Sequence, residues 1–204
     1  TVTVADGRFW YSLGNGLGNG LDNNWYLDGN NASVVSSDGN KTTVQMGSGY
    51  RGDLWLARSG KGKIVNVTPA DYRYFAIKVG FKSQLVPGKN KPNGCIKLEI
   101  FDDGIKKIGP EYFGTGGDAN NRYEILGASE ISTTEPNVLY YDLQSKYKTV
   151  TPTDWNQVFD LSQCKFVIAD FPETAQTYDL YWIRSFKSIE ELQAFVDSEN
   201  NTNE

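Results

Sequence analysis

The stretch Tyr72-Arg73-Tyr74-Phe75-Ala76-Ile77-Lys78-Val79-Gly80-Phe81 decides the fold class. Read at a period of two, it sets Arg73, Phe75, Ile77, Val79 and Phe81 on one side and Tyr74, Ala76, Lys78 and Gly80 on the other. The first set is apolar apart from its leading arginine, which predicts a strand with that face against a core. Outward from it the same signal recurs. Residues 41–46 alternate, Leu54-Trp55-Leu56 forms a short apolar run, and residues 63–67 alternate again. Residues 96–101 and 105–108 flank Asp102-Asp103-Gly104, and Asp-Gly between two apolar runs predicts a tight hairpin. Residues 138–143, 165–169 and 178–186 bring the total to about nine or ten strands joined by turns, which predicts two packed antiparallel sheets.

Only the end of the chain carries a helical pattern. Ser188-Ile189-Glu190-Glu191 fits a capping box in which Ser188 is the N-cap and Glu191 reaches back to its amide. Ile189, Leu192, Phe195 and Val196 then share one face at helical spacing. The organisation expected is a β-sandwich over 1–187, a packed C-terminal helix over 188–197 and a polar tail over 198–204.

Composition narrows the chemistry. The 204 residues carry a net charge of −5, 13% aromatics and 21 glycines, and they include no histidine. Without histidine there is no Ser-His-Asp or Cys-His nucleophile and no histidine-bound zinc or haem. Nucleic acid is a poor partner, because the cationic stretches at 58–63 and 82–91 are broken by glycine and polar residues. No run approaches the roughly 20 apolar residues of a membrane span. Cys95 and Cys164 each head a strand-like run, so they pair if those strands are neighbours and otherwise stand as buried thiols. Thr1 at the start points to a processed or excised segment.

The first 60 residues are rich in turn chemistry, from Leu13-Gly14-Asn15-Gly16-Leu17-Gly18-Asn19-Gly20-Leu21 to Asp28-Gly29-Asn30-Asn31. Glycine and asparagine tolerate positive φ, so this is a sharply turning loop. Asp22-Asn23-Asn24 and Asp28-Gly29-Asn30 also resemble pieces of a calcium loop, and Ca²⁺ needs only the oxygen ligands that such loops supply; the competing reading is that they only form turns. Glu99, Asp102 and Asp103 form the closest acid cluster, with the two aspartates in the predicted turn and without the alternating acids of a laminarinase-type glycosidase.

Aromatic loops give the strongest functional signal. A sugar offers a patch of C–H bonds on one face and hydroxyls around its rim, so its binders stack Trp or Tyr on the first and aim amides or charges at the second. Trp25 and Tyr26 stand among Asn23, Asn24, Asp28 and Asn30, while Tyr50-Arg51-Gly52-Asp53-Leu54-Trp55 forms a second cluster. Glu111-Tyr112-Phe113-Gly114 and Thr153-Asp154-Trp155-Asn156 form two more.

The closing run Tyr178-Asp179-Leu180-Tyr181-Trp182-Ile183-Arg184-Ser185-Phe186-Lys187 resembles the last strand of jelly-roll carbohydrate-binding and laminarinase-like sandwiches, whose pattern is Asp-Trp/Tyr-Ile/Val-Arg-x-Phe/Tyr. Together with Val67-Thr68-Pro69, Tyr74-Phe75-Ala76-Ile77-Lys78-Val79 and Tyr140-Tyr141-Asp142-Leu143, the chain is similar to uncharacterised sandwich domains of Bacteroidetes glycan-utilisation proteins. Tyr181 stands where that pattern has its acid, and Asp179 lies two residues earlier with the same facing. The resemblance implies an all-β, jelly-roll-like antiparallel β-sandwich, secreted or displayed on a bacterial surface beside other domains.

The function expected is non-catalytic binding of a polysaccharide or oligosaccharide, with Trp25, Tyr26, Tyr50 and Trp55 as stacking platforms and Asn24, Arg51 and Asp53 as hydrogen-bonding partners. Trp10 and Trp182 are assigned to packing. A glycoside hydrolase or polysaccharide lyase on the same scaffold is the enzymatic alternative, the latter through a tyrosine base with lysine or arginine. A structural or adhesive module of a larger surface protein is the other.

Overall fold

A computed structural model describes residues 8–28, 31–47, 52–58, 61–62, 66–67, 71–82, 95–102, 105–113, 121–144, 159–169 and 177–202. Among them run fourteen strands: β1 Trp10–Ser12, β2 Tyr26–Leu27, β3 Ser33–Ser37, β4 Thr42–Gln45, β5 Gly52–Arg58, β6 Lys61–Gly62 and β7 Asn66–Val67; then β8 Tyr74–Phe81, β9 Cys95–Asp102, β10 Ile105–Phe113, β11 Asn121–Ile125, β12 Asn137–Asp142, β13 Phe159–Ala169 and β14 Thr177–Phe186. One helix, α1, spans Ile189–Thr202.

The strands follow the order β2-β5-β13-β9-β10-β11-β12-β8-β14-β4-β3, with β1 on β14, β6 on β5 and β7 on β13. The half running from β11 to β3 is the front sheet and the half from β2 to β10 the back sheet. All pairings are antiparallel except the short β10–β11 contact, which is parallel and joins the two halves. The predicted hairpin is there, with Ile105 opposite Asp102.

The quoted stretch becomes β8, a central strand of the front sheet between β12 and β14. Its apolar face supplies Phe75, Ile77, Val79 and Phe81 to the main core, where they share one buried cluster with Trp25 and with Leu54 and Leu56 of β5. One core therefore fills the space between the two sheets, as in a sandwich. The other face of β8 is also partly covered: Ala76, Val138, Trp182, Phe186 and Leu192 form a second buried cluster, with Trp10, Phe195 and Val196 packed on it. Here α1 lies on the outside of the front sheet.

The helix starts as the sequence suggests but by a slightly different device. Ser188 Oγ accepts the Glu191 amide at 3.1 Å, whereas Glu191 Oε2 takes the amide of Lys187, one residue before the cap, at 2.6 Å. The helix also outruns its predicted end, because Glu199 is held by Trp182 Nε1 at 3.1 Å and by Lys78 Nζ at 3.6 Å. A polar sequence here is helical because its one inward acid finds partners on the sheet.

The cysteine question resolves at the backbone. β9 and β13 are neighbours, but Cys95 lies opposite Ala169 and Cys164 opposite Ile100. That offset of five positions is roughly 17 Å along a strand at about 3.4 Å per residue, far beyond the span of a disulfide.

Candidate functional site

The outer face of the front sheet, beside the helix, carries the most chemistry among the described residues. Between Leu180 and Trp182 the β14–β8 register shifts, so Tyr181 and Trp182 together oppose Lys78. This β-bulge keeps both aromatic residues on the outer face, next to each other, where strict alternation would separate them. Lys78 Nζ sits 5.2 Å from the Tyr181 ring centroid.

One step along β14, Asp179 lies opposite Gly80 on β8 and Thr43 on β4. It is only 5% exposed. Its Oδ1 accepts the Thr43 hydroxyl at 2.7 Å. Its Oδ2 faces two ammonium groups, Lys41 at 3.4 Å and Lys82 at 3.7 Å. Gly80 lies directly beneath this carboxylate: a Cβ there would come into van der Waals contact, 3.4 Å, with Asp179 Cβ and Oδ2. Asp179, the two lysines and Tyr181 line a hollow of about 90 Å³. The Asp179 carboxylate holds the Lys41 ammonium above the ordinary lysine range, with Tyr181 adding a smaller effect. Burial pushes the Tyr181 hydroxyl up, against the opposing pull of Lys41, so it keeps its proton at neutral pH.

A second, larger hollow of about 390 Å³ adjoins the first, with Glu135 and Pro136 lining both. Leu126, Val138 and Val196 give it apolar walls, and Lys78, Gln193 and Asn200 give it polar ones. The segment before β12 is held by Asn137, which is buried. Its Oδ1 accepts the Ser132 amide at 2.8 Å, and its Nδ2 donates to the Ser132 carbonyl at 3.0 Å and the Val79 carbonyl at 3.4 Å. Ser132 Oγ in turn accepts the Glu135 amide at 3.0 Å, which fixes the shared wall.

The residues singled out from the sequence fall elsewhere. Trp25 is fully buried and meets Tyr11 edge-on at 5.8 Å, so it is a core residue with no face left for a sugar. Trp55, 6% exposed, is likewise covered. The expectation of stacking at these two rings is corrected by their burial: the turn chemistry around Trp25 signals a loop, but the ring itself points inward. Tyr26 is half-buried on β2 at one end of the strand order, directly opposite Trp55, and Asn24 is half-buried just ahead of it. Tyr50 and Arg51 lie outside the described residues, as does the Asp53 side chain; the Asp53 backbone pairs with Val167. The clusters at 111–114 and 153–156 and the acids Glu99, Asp102 and Asp103 also lie outside the described side chains. Trp10 and Trp182 pack as expected, each edge-on to Phe186 and Phe195.

Of the two pieces that resemble a calcium loop, Gly29 and Asn30 lie outside the described residues, while Asp22-Asn23-Asn24 takes part in a turn network. Asn19 Oδ1 accepts the amides of Leu21 and Asp22 at 2.8 Å, and Asp22 Oδ2 accepts the Asn15 side-chain amide at 2.7 Å. The loop's oxygens thus serve its own N–H groups, and no acidic cluster suited to a metal occurs among the described residues. Nor is any helix among them long and apolar enough to cross a membrane.

Sequence reasoning missed Lys41, Thr43 and Lys82. The signal was present in the polar face of residues 72–81, where Lys78 and Gly80 alternate with the core set, and in the same-facing position of Asp179. A search among curated proteins returns no match to this chain. The family model described as "Domain of unknown function (DUF4979)" matches residues 16–192, a span that includes β2 to β14 and the first turn of the helix. The chain belongs to that family.

Proposed function

We propose that this chain is a non-catalytic carbohydrate-binding module, and that its glycan lies on the outer face of the front sheet across the two adjoining hollows. The observation that carries the reading is the larger hollow. At about 390 Å³ it is within the range of small-molecule sites, and it sets apolar walls beside amides, carboxylates and an ammonium. That pairing suits a sugar, which is apolar on its ring face and polar at its rim. Tyr181, half-buried, lines the smaller hollow, which shares Glu135 and Pro136 with the larger one.

The resemblance of the closing strand to jelly-roll carbohydrate-binding sandwiches supports the same reading, and with it a secreted or surface-displayed setting in a bacterial glycan-utilisation protein. A lyase would use Tyr181 as its base with Lys41 nearby. Burial holds that hydroxyl in its protonated form, which suits a hydrogen-bond donor better than a base.

A glycan array followed by calorimetry on the hits tests the proposal. Tyr181→Ala and Gln193→Ala are expected to lower affinity for the retained glycan at least ten-fold. Gln193 is exposed, so its variant should melt as the wild type does. Unchanged binding by both variants would remove the site from this face, and release of unsaturated or reducing-end products would replace binding with catalysis.

A further inference from the structure

The smaller hollow bears on what kind of glycan the module takes, and the argument rests on the carbohydrate reading above. Lys41 and Lys82 converge on a single oxygen of Asp179, and the second oxygen is taken by Thr43. Two ammonium groups thus share one enclosed carboxylate. Each ammonium has three N–H donors; Lys41 spends one on Asp179 and Lys82 only faces it at 3.7 Å, so donors remain on both. Two further acids act here, Glu135 on this wall and Asp38, which does not line the hollow but acts on Lys41; both are exposed and make no ion pair among the described residues, so solvent screens them, whereas Asp179 is enclosed. Around the larger hollow the balance differs, because Lys78 there is paired with Glu199 at 3.6 Å.

We infer that the smaller hollow receives the anionic substituent of an acidic glycan, a uronate carboxylate or a sulfate ester, held between Lys41 and Lys82. Its volume of about 90 Å³ corresponds to about three waters, which is the scale of one such group and too small for a sugar ring. The ring then rests against Tyr181, and the neutral remainder of the chain continues into the larger hollow. Asp179 acts as a positioning residue: it gathers the two lysines before the ligand arrives, which lowers the ordering cost of binding. At a net charge of −5 the protein repels polyanions in general, so capture depends on direct contact with these two ammonium groups.

Affinity electrophoresis on chemically matched pairs tests this. Polygalacturonate, alginate and glucuronan would be run beside their carboxyl-reduced forms, and a sulfated galactan beside its desulfated form, all at one ionic strength. At least one acidic form is expected to retain the protein ten-fold or more strongly than its neutral partner, and the pair that does so tells carboxylate from sulfate. Lys82→Gln should abolish the difference. Lys82 is more than half exposed, so this variant should unfold at the wild-type temperature; Lys41→Gln, from the other side of Asp179, should act alike. Equal retention by acidic and neutral partners, or full retention by Lys82→Gln, overturns the anionic assignment and leaves the carbohydrate reading standing. Retention by neither form of any pair, together with a blank glycan array, overturns both.

Discussion

The indole Nε1 of Trp182 donates to both carboxylate oxygens of Glu199, at 3.1 Å each, so a residue on the bulged strand pins the last turns of the helix. The same carboxylate lies 3.6 Å from Lys78 Nζ, which is only 16% exposed. Removing it strands a mostly covered ammonium and an indole N–H together. Glu199→Ala should therefore cost about 1 to 2 kcal/mol, with faster amide exchange over 198–202. Glu199→Gln keeps an acceptor for the indole and should fall between. Chemical denaturation gives the free energies, and a wild-type midpoint for Glu199→Ala would contradict the pinning.

Trp25 is the largest fully buried side chain among the described residues and sits among Tyr11, Leu13 and the core face of β8. Trp25→Ala should cost about 3 to 5 kcal/mol, the range for emptying a large aromatic site. At low temperature, where the variant remains folded, glycan retention should equal that of the wild type. Normal stability with lost retention would return this ring to a ligand-binding role.

Residues 72–81 made the sheet legible because alternation is a property of the strand itself. Arg184 explains why the closing motif was legible as a pattern but not as a mechanism. Its guanidinium carbon lies 4.6 Å from the Trp10 ring, 5.5 Å from Trp182 and 4.8 Å from Phe195, so the Trp-Ile-Arg segment builds an aromatic cage that docks the helix. Burial lowers the Arg184 pKa, with a like-charge push from Arg8 and an opposing pull from Glu199. No local sequence pattern reports that Trp10, 174 positions earlier, closes this cage. The hollow at Asp179 was hidden for the same reason: Lys41, Lys82 and Asp179 meet only through the β4–β14–β8 pairing, and the bulge at Tyr181 breaks the alternation on which facing is judged. Trp25 misled because composition locates loops, whereas the direction of one ring within a loop is set by the core it finds.

The glycine-rich loop separates two reasons for glycine. Gly14 has no unusual φ, but a Cβ there would stand 2.4 Å from the Gly39 carbonyl oxygen, a backbone atom that cannot swing aside. Gly20 has open space around it and φ of +74°. Asparagine adopts that left-handed conformation more readily than other residues do. Gly20→Asn should therefore be almost neutral, whereas Gly14→Ala should cost about 3 kcal/mol through forced separation of the two turns. Paired denaturation curves check both, and a similar cost for the two substitutions would show that conformation alone governs this loop.

Tyr140 gives the fold an alkaline limit that can be assigned to one hydroxyl. That hydroxyl donates to Glu124 Oε2 at 2.7 Å, and burial first, then this bond, pushes its pKa up to about 12. In the unfolded chain a tyrosine ionises near pH 10. Above that point the unfolded chain has released a proton that the folded chain still holds, so rising pH favours unfolding. The contribution is complete below about pH 10 and is lost as pH passes through about 12. Lys41, also raised, loses its contribution on the alkaline side as well, so the total slope is not the test. The test is the gap between wild type and Tyr140→Phe, which lacks the hydroxyl but keeps the ring. Denaturation midpoints should differ by a constant amount up to about pH 10 and converge towards about pH 12, with absorbance at tyrosinate wavelengths showing one fewer late-titrating group in the variant. A gap that stays constant across this window would mean that the Tyr140–Glu124 bond does not hold the proton.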